Sequence, residues 1–329
     1  MVSKYSLETS LKFLTQITSQ SHSADLAVVA NAIWQKHLQP QNPFWKHVVA
    51  KTFKVKNMSG TAHVMAIIDS RLPNLGLVGF FGATTKEAGA AVLEQASVWL
   101  KQQGLAEIYG PINGTITSDY RFNLAEDYQI PGEPVNPAWY ITVFEAAGFV
   151  VFNHYVSGIA GHPYLYVRLV TSKRPAAGYE HMSLRPFDSQ YAKQNLASYH
   201  KLMNAIFPAQ SIYCPVITLE ERAYNMFGSA PLFNPNYCYF LDDGKKPVGF
   251  IVAYPSENKL ILKTIGLLPE YRGKKLADLL VRQVHEQAKR DGLKAAVYST
   301  IRVGNAVHKL KRPGVKIYRR YVTMSKTLD

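Results

Sequence analysis

The sequence predicts an α/β protein made of two tandem domains, each a mixed, largely antiparallel central sheet flanked by helices. Its 329 residues are about twice an ordinary domain. Its apolar runs, such as Leu75 to Ala83 and Val248 to Tyr254, have the length of strands and alternate with amphipathic helical stretches. A succession of strands, a helix and a further strand occurs once in each half. Hydrophobic residues make up 47% and charged residues 18%, with glycine and proline scattered, which excludes a disordered or collagen-like chain. No apolar stretch approaches the roughly 18 residues of a membrane span. The start, Met-Val-Ser-Lys-Tyr, continues into polar, helix-like sequence without the apolar core of a secretory signal, so a cytoplasmic protein is expected. Cys214 and Cys238 are too few for a disulfide framework or a thiolate metal site and read as buried, reduced thiols; no metal is expected.

In the C-terminal half, Glu180 to Pro186 alternates as a short strand, and Asp188-Ser189 then caps a helix from about Gln190 to Ile206. A second helix is expected from Leu219 to Phe227. Tyr237 to Leu241, Val248 to Tyr254 and Leu260 to Leu268 form an antiparallel meander, broken by turns at Asp242-Asp243-Gly244 and Ser256-Glu257-Asn258. The helix Leu276 to Arg290 carries an apolar face at Leu276, Leu279, Leu280, Val281 and Val284 and stops at Asp291-Gly292. It leads into a strand at Ala295 to Tyr298. A helix around Asn305 to Leu310 and a strand from about Val315 to Met324 close the chain.

The N-terminal half repeats part of this order. Ala62 to Ser70 and Leu75 to Phe81 alternate as strands, a helix runs from about Lys86 to Gln103, and Ala106 to Tyr109 is the next strand. After Gly110-Pro111-Ile112-Asn113-Gly114-Thr115 and an irregular insertion comes a helix near Ala138 to Ala147 that stops at Gly148-Phe149. Thr171 to Gly178 has the composition of a linker. The expected division is therefore 1–170, a linker at 171–178, and 179–329.

Charge is unevenly placed. Residues 1–164 hold 11 Lys+Arg and 11 Asp+Glu, so all of the net charge of +14 lies in residues 165–329. Between Lys259 and Lys326 there are 17 basic and 4 acidic side chains, which points to an anionic partner or to a solvated basic face. Lys309, Lys311, Arg312, Arg319 and Arg320 are expected to form a basic surface near an acceptor entrance.

The run Pro269-Glu270-Tyr271-Arg272-Gly273-Lys274-Lys275-Leu276-Ala277, joining a strand to a helix, resembles the phosphate loop of the GNAT superfamily of N-acetyltransferases. The resemblance spans about 179–327 and implies two tandem GNAT-like domains, the N-terminal one degenerate for coenzyme binding. In that superfamily an Arg/Gln-x-x-Gly-x-Gly/Ala loop holds the pyrophosphate of acetyl-coenzyme A. The physical basis is a set of backbone N–H donors at the positive end of a helix. The implied cofactor is acetyl-CoA or another acyl-CoA, and the implied cofactor-binding residues are Ile265, Leu267, Leu268, Arg272, Gly273, Lys274, Lys275, Leu276, Ala277 and Asn305. Arg272 and Ala277 match the ends of the pattern, whereas Lys275 replaces the central glycine. The loop is expected to remain able to bind on condition that this backbone stays right-handed, with the ammonium then assisting the phosphates. In the N-terminal half the matching stretch, Thr84-Thr85-Lys86-Glu87-Ala88-Gly89-Ala90, lacks the pattern and sets Glu87 where phosphate would lie.

Acyl transfer to an amine needs a neutral amine, a polarised carbonyl and a proton for the leaving thiolate. Where many family members carry a tyrosine four residues before Gly-Phe, alignment here gives Phe144 or Leu310, neither with a hydroxyl. Tyr318 and His308 are the remaining catalytic candidates, each with a structural alternative. Glu220, Glu221, Asp242 and Asp243 read as capping or turn residues. Three functions stay open: an acetyl-CoA-dependent N-acyltransferase acting on a small-molecule or peptide amine, possibly acidic; a tRNA-dependent aminoacyl transferase, with nucleic acid as partner; and a non-catalytic binding module. No membrane partner is expected.

Overall fold

The computed structural model describes residues 37–117, 120–125, 130, 133–161, 167, 176–208, 211–228, 234–309 and 314–328. The helix-like N-terminal stretch, most of the expected linker, and Leu310, Lys311 and Arg312 lie outside them. Twelve strands lie among the described residues: β1 Val48–Asn57, β2 Gly60–Asp69, β3 Leu75–Ala83, β4 Glu107–Gly110, β5 Phe122–Asn123, β6 Val150–Ala160, β7 Ser183–Pro186, β8 Cys238–Asp242, β9 Pro247–Ser256, β10 Lys259–Leu267, β11 Ala295–Arg302 and β12 Val315–Thr327. The helices are α1 Lys86–Gln102, α2 Tyr140–Ala146, α3 Ser189–Gln194, α4 Leu196–Ile206, α5 Leu219–Gly228, α6 Leu276–Arg290 and α7 Ala306–Lys309.

The chain divides into two compact units. Unit 1 is residues 1–155 with 212–215 and 320–329; unit 2 is 156–211 with 216–319. This division differs from the expected one in the two strands that change unit. β6 begins in unit 1 and passes into unit 2 after Tyr155, while the end of β12 from Arg320 onward belongs to unit 1. Composition cannot reveal this, because nothing in either exchanged strand marks the residues it pairs with.

In unit 1 the strand order is β1-β2-β3-β4, followed by the end of β12, with β5 also on β12. The β1–β2 and β2–β3 pairs are antiparallel and β3–β4 is parallel. Alternation along β2 divides the core between two faces. Ala62, Val64 and Ala66 meet Val92, Leu93 and Ala96 of α1. Met65 and Ile67 meet Phe44, Trp45 and Phe80 on the other face. β1 was not expected, because Lys51, Lys54 and Lys56 dilute its alternation; the ammonium of Lys51 lies 4.9 Å from the ring centre of Phe53, so its stem covers apolar surface.

Unit 2 has the order β12-β6-β11-β10-β9-β8-β7. β7 to β10 pair antiparallel, and β10–β11 is parallel. α4 packs Leu202 and Ile206, and α6 packs Leu276, Leu280 and Val284, into one core with Tyr237, Phe240, Phe250 and Leu260. Asp188 caps α3 as expected, its carboxylate accepting from Tyr191 N at 2.7 Å. The expected single helix 190–206 is broken at Asn195, whose side-chain amide donates at 3.0 Å to the Tyr191 carbonyl, a local bond that competes with helix continuation. Thr218 and Glu221 form a reciprocal capping box at α5: Glu221 N donates to Thr218 Oγ1 at 3.1 Å, and Thr218 N to Glu221 Oε2 at 2.7 Å. Cys214 and Cys238 are both buried thiols that form no disulfide among the described residues. Among the described residues no helix is long and apolar enough to cross a membrane.

Candidate functional site

The C-terminal motif lies where a parallel strand pair opens. The β10–β11 ladder runs from Lys259↔Ala295 to Leu262↔Tyr298 and stops, although β10 continues to Leu267 and β11 to Arg302. An extra residue, Lys263, enters β10 between the Leu262↔Ala253 and Thr264↔Val252 pairs, and such a bulge bends its strand. Eight residues, Leu268 to Lys275, then lead into α6. Leu268 N is held by the Val248 carbonyl at 2.9 Å, and a 3₁₀ turn follows at Pro269–Tyr271. Arg272 Nε donates to the Leu267 carbonyl at 3.1 Å, which leaves the rest of its exposed guanidinium at the mouth. Tyr271 donates to Asp243 at 2.8 Å. That bond, with burial, pushes the phenol up to about 12, so Tyr271 stays neutral beside the loop.

Gly273 has φ +74 with open space where a side chain would stand, and Lys275, the N-cap of α6, has φ 57 and ψ 15. The right-handed backbone on which the expectation of binding is conditional is not the one Lys275 adopts. The lysine adopts the left-handed conformation that glycine takes without steric cost. It supplies no side-chain cap, and its carbonyl accepts from Asp278 N at 3.2 Å. Lys274 is drawn aside, its ammonium 5.3 Å from the Tyr179 ring centre. Leu276 is buried in the core; Ile265 and Leu267 pack against it; Ala277 is half-buried.

Unit 1 presents the same plan with the site closed. Two residues, Thr84 and Thr85, join β3 to α1 in place of eight. Thr85 Oγ1 accepts from Ala88 N at 3.3 Å and donates to the Ser59 carbonyl at 2.6 Å, so the helix end carries its own cap, with Glu87 in the first turn. The β3–β4 ladder also stops early, at Leu77↔Tyr109, beside a bulge at Phe80, φ 49. Here the opening is filled. Ile112 N donates to the Val78 carbonyl at 2.8 Å, and Phe80 N to Asn113 Oδ1 at 2.6 Å. Gly79 lies so close to the Ile112 carbonyl that a Cβ there would overlap it.

The remaining candidates have structural tasks. Asn305 accepts from His308 N at 2.7 Å and His308 Nδ1 accepts from Gly304 N at 3.3 Å, so the two close one short turn around α7. Tyr318 is half-buried on β12, with the Arg319 guanidinium 5.4 Å from its ring centre. Arg319 is 1% exposed and is not part of a basic surface: alternation along β12 turns it inward. Asp242 and Asp243 hold the β8–β9 turn through Gly244 N, Lys245 N and Lys246 N, and Phe144 lies in the unit 1 core between Phe81 and Phe122.

A buried pair at the last rung of the β10–β11 ladder escaped the sequence reading. His285 Nδ1 lies 2.7 Å from the Val281 carbonyl and Nε2 3.1 Å from Tyr298 Oη. Burial lowers the imidazole to about 4, so it is neutral. Nδ1 carries the proton toward Val281, and Nε2 accepts from Tyr298.

In unit 2 a parallel strand pair thus parts beside a helix end that carries no side-chain cap. Residues 198–310 match the acetyltransferase (GNAT) family model. A GCN5-related N-acetyltransferase from Sphaerobacter thermophilus is similar over 98% of this chain and 92% of its own, at 11% identity and a TM-score of 0.50. A tandem GNAT protein from the clavulanic acid biosynthesis pathway is similar over 99% and 96%, at 13% identity and 0.51. A GCN5-related N-acetyltransferase from Anabaena variabilis is similar over 100% and 72%, at 10% identity and 0.53. No curated protein matches the chain. The chain carries the fold of tandem GNAT proteins.

Proposed function

We propose that the protein is an acetyl-CoA-dependent N-acyltransferase that binds one coenzyme per chain, in unit 2. The observation that carries this is the contrast between an open strand pair with an eight-residue loop and an uncapped helix, and a closed counterpart with a two-residue loop and a threonine cap. Bound coenzyme would supply the activated thioester. The first-turn N–H groups of α6 with Arg272 and Lys275 would hold its pyrophosphate, and the parted edge of β10 would offer backbone donors to the acyl carbonyl. The amine must arrive neutral, attack the carbonyl carbon and lose its proton as the thiolate departs. Exposed Lys289, Arg290 and Lys294 stand at the C-terminal end of α6, the full length of that helix from the loop, so their charge does not bear on the acceptor.

Titration calorimetry with coenzyme A is expected to give a stoichiometry of one; a value near two would overturn the assignment to unit 2 alone, and no binding would overturn the reading. Gly273→Asp places a carboxylate beside the phosphates and should weaken binding tenfold or more.

A further inference from the structure

The unassigned feature is a left-handed residue inside a strand. Thr300, on β11, has φ 51 and lies two positions beyond Tyr298, where the ladder to β10 ends. β-Branched residues avoid this conformation, and one persists only where its surroundings over-determine it. The Thr300 N–H donates at 2.9 Å to the hydroxyl of Ser157. Ser157 is fully buried and sits on β6, the strand flanking β11 on the side away from β10. The bulge at Lys263 bends one wall of the opening; the kink at Thr300, fastened to β6, turns the other.

We propose that Ser157 is a positioning residue for the acyl slot: its hydroxyl holds Thr300 in the kinked conformation that keeps β11 parted from β10. This rests on the acyl-CoA reading above. Without the Ser157 oxygen, Thr300 relaxes toward extended backbone and β11 moves back along β10, narrowing the slot for the thioester. The pyrophosphate loop, on α6, is untouched. Glycine at position 300 takes φ +51 without strain, so it should make the Ser157 hydroxyl dispensable.

The test measures binding of acetyl-CoA and, separately, of adenosine 3′,5′-bisphosphate, a probe of the nucleotide end, by calorimetry. Ser157→Ala is expected to weaken acetyl-CoA about fivefold or more and to leave the bisphosphate within twofold; adding Thr300→Gly should restore acetyl-CoA to within twofold of wild type. Unchanged acetyl-CoA affinity in folded Ser157→Ala, equal weakening of both probes, or no rescue by Thr300→Gly would each overturn the proposal. If Ser157→Ala does not fold, Thr300→Gly alone decides: the kink requires a melting temperature no lower than wild type and unchanged acetyl-CoA affinity, and a loss of either overturns it. Wild-type protein that binds neither probe would instead overturn the acyl-CoA reading.

Discussion

Replacing Lys275 by glycine should stabilise the protein while weakening the proposed coenzyme site, and the two effects have separate causes. Lys275 holds φ 57 and ψ 15 at the N-cap of α6, and a side chain in that conformation costs about 1–2 kcal/mol relative to glycine. Glycine in turn adds about 0.5–1 kcal/mol of conformational freedom to the unfolded chain. The net gain is about 0.5–1 kcal/mol, which for a unit of this size raises the melting temperature by about 1–4 °C. The ammonium, exposed beside the first-turn donors, would contribute about 1 kcal/mol as a charge-assisted contact to phosphate. Lys275→Gly should therefore bind coenzyme A about fivefold more weakly at low salt, with the difference shrinking as salt screens the charge. Scanning calorimetry and isothermal titration at two ionic strengths measure both. A fall in melting temperature would refute the left-handed strain. Tenfold tighter binding would show that the lysine obstructs the site.

Other outcomes follow from single contacts. His285 is neutral in the fold, held near 4 by burial, whereas the unfolded chain binds a proton below about 6.5; stability is complete above that pH and is lost as pH falls toward 4. His285→Gln should flatten this acid limb by about 2 kcal/mol between pH 7 and 4.5 in denaturant titrations, and an unaltered limb would contradict the assignment. Asn113→Ala leaves the buried Phe80 N–H without its acceptor and should cost about 1–3 kcal/mol, with coenzyme stoichiometry still one by native mass spectrometry. Thr218→Ala removes one arm of the α5 capping box and should cost about 1 kcal/mol in thermal unfolding, whereas Thr218→Ser should recover most of it.

What the sequence disclosed was local. α6 was legible almost to the residue because its apolar positions recur at helical spacing and Asp291-Gly292 ends it. Asp188 could be read as a cap because a short acid precedes a helical pattern. The run from Pro269 to Ala277 stood out because unusual residue types occur together within nine positions. The missing parts depend on distant partners. β12 pairs with β4, more than two hundred residues earlier, and nothing in either segment marks the other. Ser157 and Thr300 are ordinary strand residues until β6 and β11 lie side by side. The Gly110–Thr115 run was noticed as an irregular entrance, but the closing of the unit 1 opening depends on Asn113 meeting Phe80 N across 33 positions.

The conformation of Lys275 carries a further lesson about substituted motifs. Glycine at the central position serves two ends, a left-handed backbone and the absence of a side chain near the phosphates. A lysine there keeps only the first, since the structure retains φ 57. Had the loop lost its anion-binding shape, the left-handed residue would be strain without purpose, and a right-handed turn would relieve it. Unit 1 carries no such strain: Thr85 is extended, at φ −140, and spends its own hydroxyl on the helix. The charges divide the same way, with residues 1–164 neutral and all of the surplus positive charge beyond them. Retained strain at a basic loop in one copy, and a relaxed, self-capped turn in a neutral copy, are what the proposed single coenzyme site in unit 2 requires.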